Sequence, residues 1–107
     1  MSVFTQNVIH AMARVLVPMA GPPTFVGSGV QSVVTISPTT TRVTLQDPIG
    51  AGESLVLLGQ EANVPGPTDG PRYTRPDAST VDVTSQLDGT GFGSDFSIAV
   101  LRIPRAV

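Results

Sequence analysis

The last long segment of the chain, residues 94–103, constrains the fold most, because it is apolar on both faces of a strand. Its apolar residues form two alternating sets: Phe96, Ile98 and Val100, and Ala99, Leu101 and Ile103. Side chains alternate between the two faces of a strand, so each set occupies one face. A strand with two apolar faces lies in the middle of a sheet or is covered. Pro104 ends the segment, because proline has no amide hydrogen to donate to a neighbouring strand.

Shorter strand-like segments, rich in valine and threonine, precede it at regular spacing. They span residues 30–37, 42–46, 54–59 and 80–86. The segment 80–86 places Val81 and Val83 inward, whereas 54–59 is nearly continuous in apolar residues and predicts a strand buried on both faces. Short strands separated by turn residues predict an all-β chain. The fold class expected is a single small antiparallel β-sandwich or barrel, jelly-roll-like, with an N-terminal arm.

The first part of the chain supports two interpretations. Phe4, Val8, Met12 and Val15 recur at helical spacing, whereas residues 13–17 read as a strand that ends at Pro18. Helix and strand both remain open for residues 5–17. An apolar leader that ends in a Pro/Gly hinge is either an arm laid on a neighbouring subunit or the first strand of the core. We therefore assign residues 1–25 to an N-terminal arm or first element, and residues 26–107 to the β-sandwich domain.

The low charge content points to surface that is hidden by other chains. The chain has 107 residues, the size of one domain, and 13% of them are charged, against about 25% in an average protein. Such a surface is made soluble by Ser and Thr or is partly buried in an oligomer. Symmetric homo-oligomers are the common form of such burial.

Several partners and locations are excluded by the same composition. Six scattered arginines and a net charge of −2 do not provide the basic face that nucleic-acid binding needs, nor a polybasic membrane patch. No segment approaches the roughly 18 apolar residues of a membrane-spanning helix. His10 and Arg14 interrupt the apolar start, so we expect no signal peptide.

The sequence predicts no enzyme, no cofactor and no metal. His10 is the single histidine and the chain has no cysteine, so zinc and copper sites lack ligands. The carboxylates are dispersed and show no paired acid/base motif. Asp88 and Asp95 flank a Gly-rich turn, for which a plain hairpin is expected and a calcium site is the alternative.

The best binding candidate is the segment 69–77, inside a long Pro-rich loop predicted for residues 61–79. It contains the single tyrosine, and its Arg72 to Thr74 portion is a possible short strand. Tyrosine and arginine are favoured contact residues at interfaces, although a solvated loop with weak ion pairs stays open as the alternative. The interface residues predicted here and in the arm are Phe4, Val8, Ile9, Met12, Arg72, Tyr73 and Arg75.

The strand pattern over residues 26–103 resembles a family of small β-sandwich proteins. The segments VVTIS (33–37), TRVTL (41–45), SLVLL (54–58), TVDVT (80–84) and FSIAVL (96–101) carry the similarity. They resemble virion proteins of tailed phages, of the head decoration, cement or fibre-tip type, and more loosely the trimeric H-type lectin sandwich.

The resemblance implies a structural virion protein. It would be a head decoration or cement subunit, a homotrimer on the particle surface that contacts the major capsid protein or other virion proteins and stabilises the capsid. It would be made in the host cytoplasm without a signal peptide. The alternative is a glycan-binding, lectin-like fibre-tip or receptor-binding module, with the loop from Arg72 to Asp77 at its tip.

Overall fold

Two antiparallel four-stranded sheets pack face to face in a computed structural model of the chain, which describes residues 8–18, 20–60, 69–86 and 94–103. The strands are β1 (Ile9–Leu16), β2 (Thr24–Ser28), β3 (Val30–Ser37), β4 (Thr40–Leu45), β5 (Ser54–Gln60), β6 (Asp69–Asp77), β7 (Thr80–Gln86) and β8 (Phe96–Arg102). The first sheet has the order β2-β1-β8-β5 and the second the order β3-β4-β7-β6. The predicted all-β sandwich is confirmed.

Strand β8 lies in the middle of the first sheet, as its two apolar faces predicted. It pairs with β1 on one side and with β5 on the other, both antiparallel. Ala99 stands between Met12 and Leu57 in these registers. Because β1 and β5 do not pair with each other, β8 is the strand that joins them into one sheet.

The core lies between the sheets and, among the described residues, is made of aliphatic side chains around the fully buried ring of Phe96, with the partly buried Phe25 packed against it. Phe96 is the largest fully buried side chain. The buried apolar residues that pack with it are Ala11, Ala13, Val15, Val30, Val43, Leu45, Ile49, Val56, Val81, Val83, Ile98 and Val100. The predicted inward direction of Val81 and Val83 is confirmed. Valine suits such a layer, because its branched side chain packs well on a pleated surface.

The N-terminal segment is a strand, so the helical alternative is wrong for residues 9–16. Strand β1 lies between β2 and β8, and its side chains alternate between buried and exposed positions. Pairing on both sides satisfies its backbone groups. The carboxylate of Asp95 also accepts a hydrogen bond of 2.7 Å from the backbone N–H of Val17. The boundary drawn after residue 25 falls inside β2, and Phe4 lies outside the described residues.

The long loop predicted for residues 61–79 is wrong over its second half, where β6 is the longest strand of the sandwich at nine residues. Its register with β7 is interrupted around Pro71 and again around Pro76. Strand β6 is also at the edge of the second sheet, where a missing N–H is tolerated. The prolines therefore interrupt the strand without preventing it.

The prediction that β5 is buried on both faces is also wrong. Strand β5 is at the edge of the first sheet; Val56 is buried in the core, but Leu55 and Leu57 are exposed on the opposite face. The Gly-rich turn that includes Asp88 lies outside the described residues.

We predict that Phe96→Ala lowers the free energy of unfolding by about 3–5 kcal/mol, because it removes a fully buried ring and leaves a cavity. Val26→Ala is the control: Val26 is 79% exposed, and its truncation is expected to change the free energy by less than about 0.5 kcal/mol. Urea denaturation followed by circular dichroism measures both. Equal, small effects of the two substitutions would contradict this core.

Candidate interface on the first sheet

The outer face of the second sheet is mainly polar, although Val34 and Ile36 of its edge strand β3 are also exposed. The guanidinium of Arg42 donates two hydrogen bonds, of 2.8 and 2.9 Å, to the carboxylate of Asp82 on the neighbouring strand. Hydrogen bonding to Asp82, followed by the attraction of its charge, raises the pKa of Arg42. The hydroxyls of Thr40 and Thr84 share a hydrogen bond of 2.9 Å on the same face. Such a face is typical of an antiparallel sheet with one side in contact with water.

The outer face of the first sheet is apolar. Met12, Ala99 and Leu57 stand side by side across β1, β8 and β5, because the strand registers place them opposite one another. Leu55 stands opposite Leu101 in the next position. Facing side chains of this kind contact each other on the surface of a sheet. We call the set Met12, Val26, Leu55, Leu57, Ala99 and Leu101 the apolar face.

A shallow depression of about 650 Å³ lies on the apolar face. Met12, Val26, Leu57 and Ala99 line it, together with Arg14 and neighbouring backbone. Monomeric proteins rarely expose contiguous apolar patches larger than a few hundred Å², and the largest apolar patch of a monomer is often functional. The apolar face is therefore the candidate interface.

Of the interface residues predicted in the N-terminal arm, some lie on or beside the apolar face and others lie elsewhere. Met12 lies at the centre of the apolar face, and Ile9 is exposed beside Leu101. Val8 is partly buried, and its carbonyl accepts a hydrogen bond of 2.6 Å from the N–H of Arg102. The assignment of these residues to an interface stays a prediction.

Sequence reasoning missed most of the apolar face. Val26, Leu55, Leu57, Ala99 and Leu101 were not among the predicted interface residues. The signal was present in the double apolar alternation of β8 and the apolar run of β5. The apolar pattern of β8 and β5 indicates that these strands are covered, but it does not show whether the residues that cover them belong to the same chain or to another one.

The segment 69–77 contributes a second surface that borders the first. Arg72 and Tyr73 are exposed on β6 and line a depression of about 480 Å³ together with Leu57 and Leu58 of β5. Leu57 lines both depressions. Leu57 therefore borders one depression that contains Met12 and another that contains Arg72 and Tyr73.

Arg75, by contrast, is used inside the fold. Its guanidinium donates hydrogen bonds to the hydroxyl of Ser54 at 2.8 Å and to the carbonyl of Ile49 at 2.5 Å. Its Nε donates to the carbonyl of Thr80 at 2.9 Å. Arg75 thus fastens the β6–β7 hairpin to the start of β5, and its assignment to an interface stays a prediction.

The turn beside it is closed by Asp77. One oxygen of the Asp77 carboxylate accepts hydrogen bonds from the backbone N–H of Ser79 at 2.8 Å and from the hydroxyl of Thr80 at 3.0 Å. The bond from Ser79, followed by the one from Thr80, lowers the pKa of Asp77, because both favour the charged form. Asp77 therefore serves the hairpin turn.

His10 is held by its own chain. Its Nε2 donates a hydrogen bond of 2.7 Å to the carbonyl of Asp47, and its Nδ1 accepts one of 3.3 Å from Arg102. In the part of the chain that the structure describes, no group of three or more His, Asp or Glu residues is placed to hold a metal ion. The same ranges include no helix with the length and apolarity needed to cross a membrane.

No protein-family model, curated protein or solved structure matches the chain. The candidate interface is therefore defined by the composition and geometry of its surface.

We predict that Arg75→Lys lowers the free energy of unfolding by about 1–3 kcal/mol, because lysine keeps the charge but cannot reproduce several directed bonds. Arg72→Lys on the same strand is the control, since Arg72 is exposed, and its expected effect is below about 0.5 kcal/mol. Chemical denaturation measures both. A stable Arg75→Lys variant would contradict the fastening role.

Proposed function

We propose that this protein is a structural virion subunit, a head decoration or cement protein that stabilises a phage capsid through protein–protein contacts. The observation that carries the proposal is the contrast between the outer faces of the two sheets. Among the described residues, the second sheet presents threonines and the Arg42–Asp82 pair, with large exposed aliphatic side chains only on its edge strand β3, whereas exposed aliphatic side chains lie on β2, β1 and β5 of the first sheet. A subunit that covers another protein needs one surface that faces the solvent and one surface that binds its partner.

The size of the apolar face indicates how such a subunit would bind. Four strands about 4.8 Å apart and at most about 24 Å long give the whole outer face of the first sheet roughly 450 Å², and the apolar face is a part of it. A standard protein interface buries about 800 Å² per partner. A single apolar face would therefore bind weakly, and tight attachment would come from many copies on one particle or from contacts that flank the face.

Residues on both sides of the apolar face could add contacts with the partner. These are Ile9 on β1, and Arg72 and Tyr73 on β6 next to β5. The major capsid protein is the partner we propose, with the particle surface as the location. Self-association belongs to the same proposal, and the homotrimer expected from the resemblance stays a prediction.

The proposal is tested with purified particles. Mass spectrometry of virions should detect the protein, and recombinant protein should co-sediment with particles from which it has been stripped. Met12→Lys should abolish co-sedimentation, because it places a charge at the centre of the apolar face. Ile36→Lys on the second sheet is the matched control, since Ile36 is 45% exposed and Met12 is 47% exposed.

Two results would contradict this function. One is the absence of the protein from virions. The other is equal co-sedimentation of the Met12→Lys and Ile36→Lys proteins, which would place the contact elsewhere.

A glycan-binding role is the second candidate, supported by Tyr73. Its ring is 42% exposed beside Arg72 in the depression next to β5, and an exposed aromatic ring with a neighbouring arginine is suited to a sugar.

A glycan array with the intact protein tests this candidate. Binding to one glycan class that is lost in Tyr73→Ala and kept in Val34→Ala would support it. An array without any bound glycan would count against it.

A further inference from the structure

We propose that the outer edge of β5, with which no described strand pairs, pairs with β5 of a second copy of this chain. The two strands would run antiparallel about a two-fold axis and join the two first sheets into one continuous sheet of eight strands. This inference does not depend on the capsid-binding proposal. It predicts a pair of chains in place of the trimer that the resemblance implies.

The two described sheets end in four edge strands, β2, β5, β3 and β6. An edge strand presents unpaired N–H and C=O groups that can template another strand, and proteins protect such edges with prolines, charges, bulges or short length. Three of the four edges carry such protection.

Each of these three edges is protected in its own way. Strand β3 has two interruptions in its register with β4, one after Val30 and one after Thr35. Strand β6 contains two prolines and two arginines and has two interruptions. Strand β2 is five residues long. Its sequence TFVGS has neither proline nor charge, so its short length is what distinguishes this edge from that of β5.

Strand β5 carries none of these features. Its sequence SLVLLGQ has neither proline nor charge. Its register with β8 runs from Ser54 to Gln60 without interruption. Among the described residues, β8 is the one strand paired with it. A regular, apolar and uncharged edge of seven residues is the kind that accepts another strand.

A second copy of β5 is the occupant that this edge fits. In an antiparallel pair centred on Leu57, that residue faces its own copy and Leu55 faces Gly59 of the other chain. Self-pairing about a two-fold axis brings each residue near its own copy or a close neighbour, so any charge on β5 would meet a like charge. The absence of charge removes that penalty.

Pairing of the two β5 strands would also bring the apolar faces of the two chains next to each other. Leu57 is 49% exposed on the outer face and would pack against its copy across the axis. The apolar faces of the two chains would then lie next to each other on one sheet. The strip of contact is about 24 Å long and about 10 Å thick, or roughly 240 Å² per chain, well below the ~800 Å² of a standard interface. The dimer is therefore expected to depend on concentration.

Sedimentation equilibrium over a concentration series, up to the solubility limit, tests the pairing. The wild-type mass should rise from 11.1 kDa towards twice that value. Leu57→Lys should remain at the single-chain mass, because a charge at the centre of an edge strand opposes pairing. Val34→Lys is the matched control: Val34 is 47% exposed on the edge strand β3, and its lysine variant should dimerise as the wild type does.

Cysteine crosslinking tests the register, and the natural chain has no cysteine to interfere. Under oxidation, Leu57→Cys should form a disulfide between chains, because facing Cα atoms in an antiparallel pair are about 4.5–5.5 Å apart. Leu55→Cys should not, because the two copies of residue 55 would be about 13 Å apart along the strands. Circular dichroism shows that each variant is folded.

Four results would overturn the proposal. They are a single-chain mass at every concentration, a trimeric mass, an unchanged dimer in Leu57→Lys, and crosslinking through Leu55→Cys in preference to Leu57→Cys.

Discussion

The pairing of β8 on both of its edges is the interaction on which the rest of the structure depends. Strands β1 and β5 come from distant parts of the chain and meet only through β8. The inner side chains of β8, with Phe96 at their start, supply the centre of the core. Its outer side chains, Ala99 and Leu101, supply the middle of the apolar face. One strand thus determines both the stability of the sandwich and the character of its surface.

The outer faces of the two sheets differ in polarity. The outer face of the second sheet carries threonine hydroxyl groups and the Arg42–Asp82 pair, which are polar groups that water solvates. The first sheet leaves leucine and methionine side chains in water on its outer face. With 13% charged residues, the chain has few groups with which to break up that surface. A protein that functions inside an assembly can keep such a face, because its partner covers it.

Periodicity predicted most of the strands and the direction of their side chains. It placed β8 in the middle of a sheet and turned Val81 and Val83 inward, as the structure confirms. It missed β6, because Pro71 and Pro76 suggested a loop and nothing local indicated an edge position. It also treated Leu55 and Leu57 as buried, because the position of a strand within its sheet depends on distant partners. Most of the candidate interface, apart from Met12, was missed for the same reason.

Hydroxyl-radical footprinting of the dilute, folded protein tests most directly whether the outer face of the first sheet is uncovered in a single chain. Mass spectrometry would compare the rates of modification of Met12 and Leu57, on the outer face, with that of Phe96, in the core. The account predicts rapid modification of Met12 and Leu57 and protection of Phe96 until the protein unfolds. Protection of Met12 and Leu57 to the same degree as Phe96 would contradict it.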